Sequence, residues 1–138
     1  MLDCSVALAW CFGRQGDRYT DRVLVSLAVD RALVPALWPL EVANVLIVAE
    51  RRRQLTRSES ARFLDLLGDL PIDVDGAPEL PTLPPLIEIA REHRLSAYDA
   101  AYLALAARER LPLATRDTTL RRSATSIGVP SFTPSDGA

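Results

Sequence analysis

Short apolar runs alternate with longer amphipathic stretches along the chain. Residues 32–37 and 111–115 are short and almost continuously apolar, which predicts buried strands, and residues 72–74 alternate like a half-exposed strand. A further strand is predicted over 129–132. Because strands and helices alternate, we expect parallel strands covered by helices, which is an α/β sandwich. The helical patterns span 5–12, 19–31, 39–53, 55–70, 86–94, 95–110 and 117–128.

Several helix starts are marked by side chains that accept hydrogen bonds from free backbone N–H groups. Thr56, followed three residues later by Glu59, forms a capping-box pattern. Ser96 is predicted to cap the helix that follows it, and Ser5 to cap the first helix. Pro39 is typical of a first helical turn. These signals predict where four of the helices begin.

The 138 residues are enough for one domain with a hydrophobic core. Residues 75–85 hold four of the ten prolines, and we interpret them as a stiff connection, since too little chain follows for a second core. We expect one domain over 1–132 and a disordered or frayed tail over 133–138. No apolar run is long enough for a membrane span, and no basic segment precedes the first apolar stretch as in a secretory signal. The expected location is the cytoplasm.

The basic residues exclude some kinds of chemistry. All 16 are arginine, so a P-loop lysine and Schiff-base catalysis are excluded. Cys4 and Cys11 lie about two helical turns apart, too far for a disulfide, and are predicted to be buried free thiols. His93 is the only histidine, which argues against a zinc site of His and Cys ligands. The net charge of −2 does not by itself indicate nucleic-acid binding.

Four of the 18 acidic residues lie in apolar surroundings: Asp3, Glu41, Asp99 and Asp117. Asp99 and Asp117 could act as helix caps, and Asp3 could cap or turn the chain. Glu41 resists that interpretation, because it lies in a largely apolar helix where an unpaired carboxylate costs several kcal/mol. A metal ion or water in a cleft is the simplest partner for it.

The four acids are predicted to meet at one edge of the sheet. Asp3 and Asp117 each follow a strand, while Glu41 and Asp99 lie in the first turns of helices. In a parallel α/β layer these positions share the edge where the strands end. Clustered carboxylates repel unless a cation lies between them, and oxygen ligands favour Mg²⁺ or Mn²⁺. Such a site suits phosphodiester hydrolysis.

The order of these motifs resembles the PIN domain family and, more narrowly, VapC, the toxin of type II toxin–antitoxin pairs. The resemblance covers nearly the whole chain, from Leu2 to about Phe132. The stretches that carry it are D-x-S at Asp3, E-x-x-N at Glu41, "SAYDAAYLALA" around Asp99, and "LATRD", which ends at Asp117.

The resemblance implies a three-layer α/β/α sandwich with a central parallel sheet of 4–5 short strands. It implies an Mg²⁺-dependent (or Mn²⁺-dependent) endoribonuclease that cuts structured RNA, such as tRNA or ribosomal RNA, by metal-activated water. The four acids would hold the metal. Ser5 and Thr115 match the family's hydroxyl positions beside the first and last acids, and Asn44 matches the amide beside the second.

The resemblance also implies partners, namely a cognate VapB-type antitoxin, an RNA substrate and a second copy of the chain in a homodimer. Arg116, Arg121 and Arg122 surround the last acid and are predicted to contact phosphate. Two features depart from the family pattern. Only Met1 and Leu2 precede the first acid, so we expect either that the true start lies upstream or that the first strand is short. The region after the first helix supplies only Asp17 as an acid.

Two other functions remain open. A catalytically silent PIN-like module could bind RNA or a protein without cutting, although the intact set of four acids argues against it. A two-component receiver domain is also α/β with clustered acids. It needs an acidic pair near the first strand and a lysine after a late one, and the chain has neither.

Overall fold

The computed structural model of the chain describes residues 1–13 and 16–135, and they form an α/β sandwich. Extended segments lie side by side, and helices pack against them. The helices are α1 (Cys4–Cys11), α2 (Arg18–Ser26), α3 (Trp38–Arg51), α4 (Arg57–Asp69), α5 (Leu83–His93), α6 (Ala97–Glu109) and α7 (Thr118–Ser126). The strands are β1 (Ala32–Val34) and β2 (Ile72–Val74), and a short 3₁₀ turn spans Leu80–Thr82.

The sheet extends beyond its two regular strands. β1 and β2 pair in parallel, with Ala32 opposite Ile72. The N-terminal segment joins β1 through a hydrogen bond from the N–H of Leu2 to the carbonyl of Leu33 (3.1 Å). One parallel bridge links Leu2 to Ala114. A second links Leu113, the residue before Ala114, to Ser131. Five short extended segments therefore lie in the order 72–74, 32–34, 1–3, 113–115 and 130–132.

Several predicted element boundaries are corrected by the structure. The strand predicted over 32–37 ends at Val34, because Pro35 has no N–H to continue the ladder. The strand predicted over 111–115 is reduced to two isolated bridges, at Leu113 and Ala114, and the strand predicted over 129–132 to one, at Ser131. The helix predicted from residue 86 begins at Leu83, since prolines in its first turn start the helix.

Two of the predicted helix caps are present in the structure, and the cap predicted for the first helix is corrected. The capping box of Thr56 and Glu59 is present in both directions, and the Ser96 side chain accepts from the N–H of Asp99, as predicted. The first helix begins one residue earlier than expected, with Asp3 at the N-cap position and Ser5 inside the helix. Ser5 therefore does not cap α1; its hydroxyl is used elsewhere, as described below.

The core lies between the sheet and the helices, and its fully buried side chains include Leu2, Val34, Tyr102 and Leu103. At the other end of the chain Pro134 is buried and its carbonyl accepts from Arg22, while residues 136–138 of the predicted tail lie outside the described residues. No helix in the described part of the chain is long and apolar enough to cross a membrane.

Among the residues that the structure describes, three arginines occupy the left-handed backbone region at helix ends: Arg53, Arg94 and Arg110, with φ between 53° and 57°. This region suits glycine, because a Cβ there meets the following carbonyl oxygen. We expect glycine at each position to raise the free energy of unfolding by about 0.5–1 kcal/mol after its extra chain entropy is counted. Urea unfolding measures the change.

The matched control is Arg62→Gly, inside α4, where glycine should lower the free energy of unfolding by about 1 kcal/mol. A loss of stability in all three helix-end variants would show that the arginine side chains contribute more than their backbone strain costs.

Candidate active site

Each of the four acids lies where a strand segment ends or a helix begins. Asp3 follows the bridge at Leu2 and is buried. Asp117 is the N-cap of α7, and its side chain accepts from the N–H of Leu120 (3.0 Å). Glu41 and Asp99 lie in the first turns of α3 and α6, and both are partly buried. The acids thus occupy the positions that the sequence pattern predicted for a shared edge.

Asp3 is held by two hydroxyl groups. Its Oδ2 accepts hydrogen bonds from Ser5 Oγ (2.6 Å) and Thr115 Oγ1 (2.7 Å). Each hydroxyl in turn accepts a backbone N–H, Ser5 from Arg116 and Thr115 from Asp117, both at 3.0 Å. Because these N–H groups occupy the acceptor side of the hydroxyls, both protons are directed at Asp3. The network fixes its carboxylate and ties the loop at 115–117 to the start of α1.

Glu41 has a different partner from the one expected. Its Oε1 accepts from the hydroxyl of Tyr102 at 2.7 Å, and Tyr102 is fully buried. Asn44, three residues along the same helix, is exposed and lines an open groove between α1 and α3. Its predicted role beside the acids stays a prediction, whereas Tyr102 is the side chain in contact with Glu41. Tyr102 belongs to the stretch "SAYDAAYLALA" around Asp99, and the sequence pattern did not predict its contact with Glu41.

The charges of neighbouring acids act on the ionisation of Glu41 and Asp99. Burial raises the pKa of Glu41, the charges of Asp3 and Asp99 raise it further, and the Tyr102 hydrogen bond partly offsets this. Burial also raises the pKa of Asp99, with added repulsion from Asp3 and Asp117. The arrangement therefore stores like-charge repulsion that a cation would relieve.

The PIN domain family model matches residues 1–125. The chain belongs to the PIN domain family. This PIN domain also superimposes on the crystal structure of PAE2754 from Pyrobaculum aerophilum with a TM-score of 0.66. The two are 23% identical over 88% of this chain and 83% of the other, a likeness that shows the fold. No curated protein sequence matches the chain. PIN is a nuclease-type fold, and PIN domain nucleases generally use divalent metals.

The donor chemistry of this PIN domain fits a hard divalent cation, because all four side chains offer carboxylate oxygens. Within residues 1–13 and 16–135, however, no group of three or more His, Cys, Asp or Glu side chains is arranged to hold a metal ion. Oδ2 of Asp3, Oε1 of Glu41 and Oδ1 of Asp117 each accept a hydrogen bond from the protein. The four side chains suit a divalent cation in two respects: they offer oxygen ligands, and a cation would relieve the repulsion between their negative charges.

The three arginines near the last acid differ in their surroundings. Arg121 donates to the backbone carbonyl of Thr115 (2.6 Å), which helps to hold the loop beside Asp3. Arg116 lies 3.7 Å from a carboxylate oxygen of Asp17, which also caps α2. Arg122 is exposed. Arg122 is therefore exposed to solvent, and Arg116 takes part in a weak, partly exposed ion pair.

Two neighbouring features are not part of the acid cluster. Cys4 is a free, buried thiol, and burial, with added repulsion from Glu41 and Asp3, raises its pKa to about 12, so it stays protonated at neutral pH. The groove between α1 and α3 has a volume of about 700 Å³, but none of the four acids lines it. The chemistry of the acids, rather than the size of this groove, identifies the candidate site.

The repulsion between the acids predicts that the free energy of unfolding depends on pH in an unusual way. With divalent cations absent, the double variant Glu41→Gln/Asp99→Asn should be more stable than the parent at neutral pH, by on the order of 1 kcal/mol after solvent screening of two partly exposed groups. Both folded-state pKa values are raised, so the penalty in the parent is full above them. It disappears as pH falls toward the ordinary values of 4.5 and 3.8.

Urea unfolding of both proteins at several pH values between 4.5 and 8 checks this. Asp65→Asn, which removes an exposed acid from α4, serves as the control and should track the parent. A stability difference that stays constant across this pH range would contradict the repulsion.

Proposed function

We propose that this PIN domain is a metal-dependent endoribonuclease and the toxin of a VapBC-type toxin–antitoxin pair, acting on structured RNA such as tRNA or ribosomal RNA. The observation that supports it most is the buried Asp3, held by two oriented hydroxyls and electrostatically coupled to Glu41 and Asp99. A structural carboxylate would gain nothing from neighbours of its own charge. A carboxylate that takes part in cation binding does gain from such neighbours, because they attract the cation as well.

The residues have distinct parts in this proposal. Asp3, Asp99 and Asp117, together with Glu41, would hold Mg²⁺ or Mn²⁺. When bound, the cation supplies positive charge to the scissile phosphate and lowers the pKa of the attacking water. Ser5 and Thr115 hold the Asp3 carboxylate in place, since both donate to the same carboxylate oxygen. This fixed geometry avoids reorganisation of the site during the reaction.

The arginines beside the site would bind the RNA backbone. Arg122 is exposed on α7, the helix that Asp117 caps, so its charge is available to a phosphate. Arg116 is adjacent to Asp117, and its 3.7 Å contact with Asp17 is weak enough for a phosphate to replace. Arg121 contributes mainly by holding the carbonyl of Thr115. These contacts favour a polyanionic substrate near the acids.

The proposal includes a homodimer and a VapB-type antitoxin, in the cytoplasm. Several large apolar side chains are well exposed, among them Val29, Leu40 and Leu80, with exposed fractions of 74% or more. Burial of such side chains against a protein partner would contribute favourable free energy to its binding.

The proposed activity is tested by incubating the purified chain with total RNA in Mg²⁺ and mapping new 5′ ends. We expect a limited set of cleavage sites in structured RNA, which disappear when a chelator is added and return with excess Mg²⁺. RNA binding without new ends would favour the catalytically silent module. Cleavage that continues in the chelator would rule out the metal-dependent mechanism.

A further inference from the structure

Three hydroxyl groups near the acids share one arrangement. Each accepts a hydrogen bond from a backbone N–H and donates one to a carboxylate. Ser5 and Thr115 do this for Asp3, as described above. Tyr102 does it for Glu41, since its oxygen accepts from the N–H of Cys4 (3.3 Å) and lies 2.7 Å from Glu41 Oε1.

Tyr102 connects three of the acid-bearing elements through one side chain. It lies on α6, three residues after Asp99, so the two share a helix face. Its hydroxyl contacts α1 at Cys4, directly after Asp3, and reaches α3 at Glu41. The ring is fully buried, so its position is set by core packing and varies little.

We propose that Tyr102 is a positioning residue of the acid cluster, which holds Glu41 facing Asp3 and Asp99 against their mutual repulsion. This rests on the proposed function of the cluster. Glu41 is partly exposed, so without a donor its flexible side chain can turn toward water and away from the other acids. The Tyr102 bond engages Oε1 and leaves Oε2 without a hydrogen bond among the described residues, available to a cation.

A role in core packing alone does not account for the hydroxyl. Phenylalanine would fill the same volume, and a buried hydroxyl is costly unless it is paired. Both partners of this hydroxyl belong to the site: one is a proposed ligand, and the other is the backbone next to Asp3. Outer hydrogen-bond partners of metal ligands typically contribute 10–100-fold to metal affinity or activity.

Tyr102→Phe tests the proposal, with Tyr98→Phe as the matched control. Tyr98 lies one turn earlier on the same helix and is 67% exposed. Calorimetric titration of the purified full chain with Mn²⁺ should give a dissociation constant about 10–100-fold higher for Tyr102→Phe and within about twofold of the parent for Tyr98→Phe. RNA affinity measured in a chelator should be unchanged in Tyr102→Phe, because a buried ring does not touch RNA.

A folded Tyr102→Phe protein with the parent's Mn²⁺ affinity would overturn the positioning role while leaving the proposed function intact. A parent chain that neither binds Mn²⁺ nor cuts RNA would overturn the proposed function, and this inference with it. If Tyr102→Phe does not fold, Tyr102→3-fluorotyrosine replaces it, since the ring and hydroxyl remain and only the donor strength changes. An Mn²⁺ affinity unaltered by fluorination would then count against the role.

Discussion

Asp3→Asn should lower the rate of RNA cleavage by at least about 10²–10³-fold, the loss seen when one preorganised electrostatic group is removed from a site. Asparagine has almost the same shape as aspartate, and its amide oxygen can still accept from Ser5 and Thr115. The NH₂ group then takes the place of the second carboxylate oxygen. The variant therefore keeps the fold and loses the charge that a cation requires. Initial rates on one mapped RNA site, at saturating Mg²⁺, measure the effect.

Two checks separate this result from unfolding. The metal-free Asp3→Asn protein should be at least as stable as the parent, because the charge that repels Glu41 and Asp99 is gone. Asp65→Asn on α4 removes an exposed acid far from any predicted role and should cleave at the parent's rate. A folded Asp3→Asn protein that cleaves as fast as the parent would exclude Asp3 from the reaction.

Expression of the chain alone should stop the growth of a bacterial host, and Asp117→Asn should restore it. Asparagine is as good an N-cap as aspartate, so α7 keeps its first turn while the site loses one carboxylate. Co-expression of the product of the adjacent gene should also restore growth, if it encodes the antitoxin. Colony counts with and without induction measure both effects.

The amounts of the parent and variant proteins must be matched by immunoblotting, with Asp65→Asn as the control that should remain toxic. Growth arrest by Asp117→Asn as complete as that of the parent would contradict a nuclease mechanism. Toxicity could also persist with the neighbouring product while the chain still cleaves RNA in vitro. In that case the proposed ribonuclease activity would stand, and that product would not be the antitoxin.

Local signals predicted where α4 and α6 begin, and α6 carries Asp99. Thr56 with Glu59 and the serine at position 96 are cap patterns whose partners lie within three residues, so the sequence alone identifies them. The acids at strand ends and helix starts could be assigned to one edge, because parallel topology brings those positions together. The hydrogen-bond partners of Asp3 and Glu41 were beyond such reasoning, since Thr115 and Tyr102 lie 112 and 61 positions away from them in sequence.

Tyr102 shows where sequence reasoning ends. In "SAYDAAYLALA" it has the spacing of a core residue, and the buried ring agrees with that interpretation. Its hydroxyl has a hydrogen-bond partner because Glu41, 61 residues away, lies opposite. Ser5 is similar: it was predicted as a helix cap, yet its acceptor is used by the N–H of Arg116, 111 residues away. A single sequence does not display such pairs.

The strand predictions were wrong in extent for a physical reason. Apolar patterns report burial, whereas a regular strand also needs backbone donors in register. Pro130 precedes Ser131 and has no N–H to extend the pairing toward Leu111, so on that side the pairing of Leu113 with Ser131 ends at one bridge. The site is unaffected, because the residues beyond the bridge, from Thr115 onward, are held by side-chain hydrogen bonds.

The chemistry of the cut RNA ends tests the central claim most directly. If the acids promote attack of water on phosphorus, one P–O ester bond breaks and the solvent oxygen joins the phosphate. Single-turnover cleavage in ¹⁸O-water with Mg²⁺ should therefore give linear phosphate ends that carry one ¹⁸O, and no cleavage in a chelator. Ends with a 2′,3′-cyclic phosphate and no solvent oxygen, formed equally well in the chelator, would contradict hydrolysis at this acid cluster.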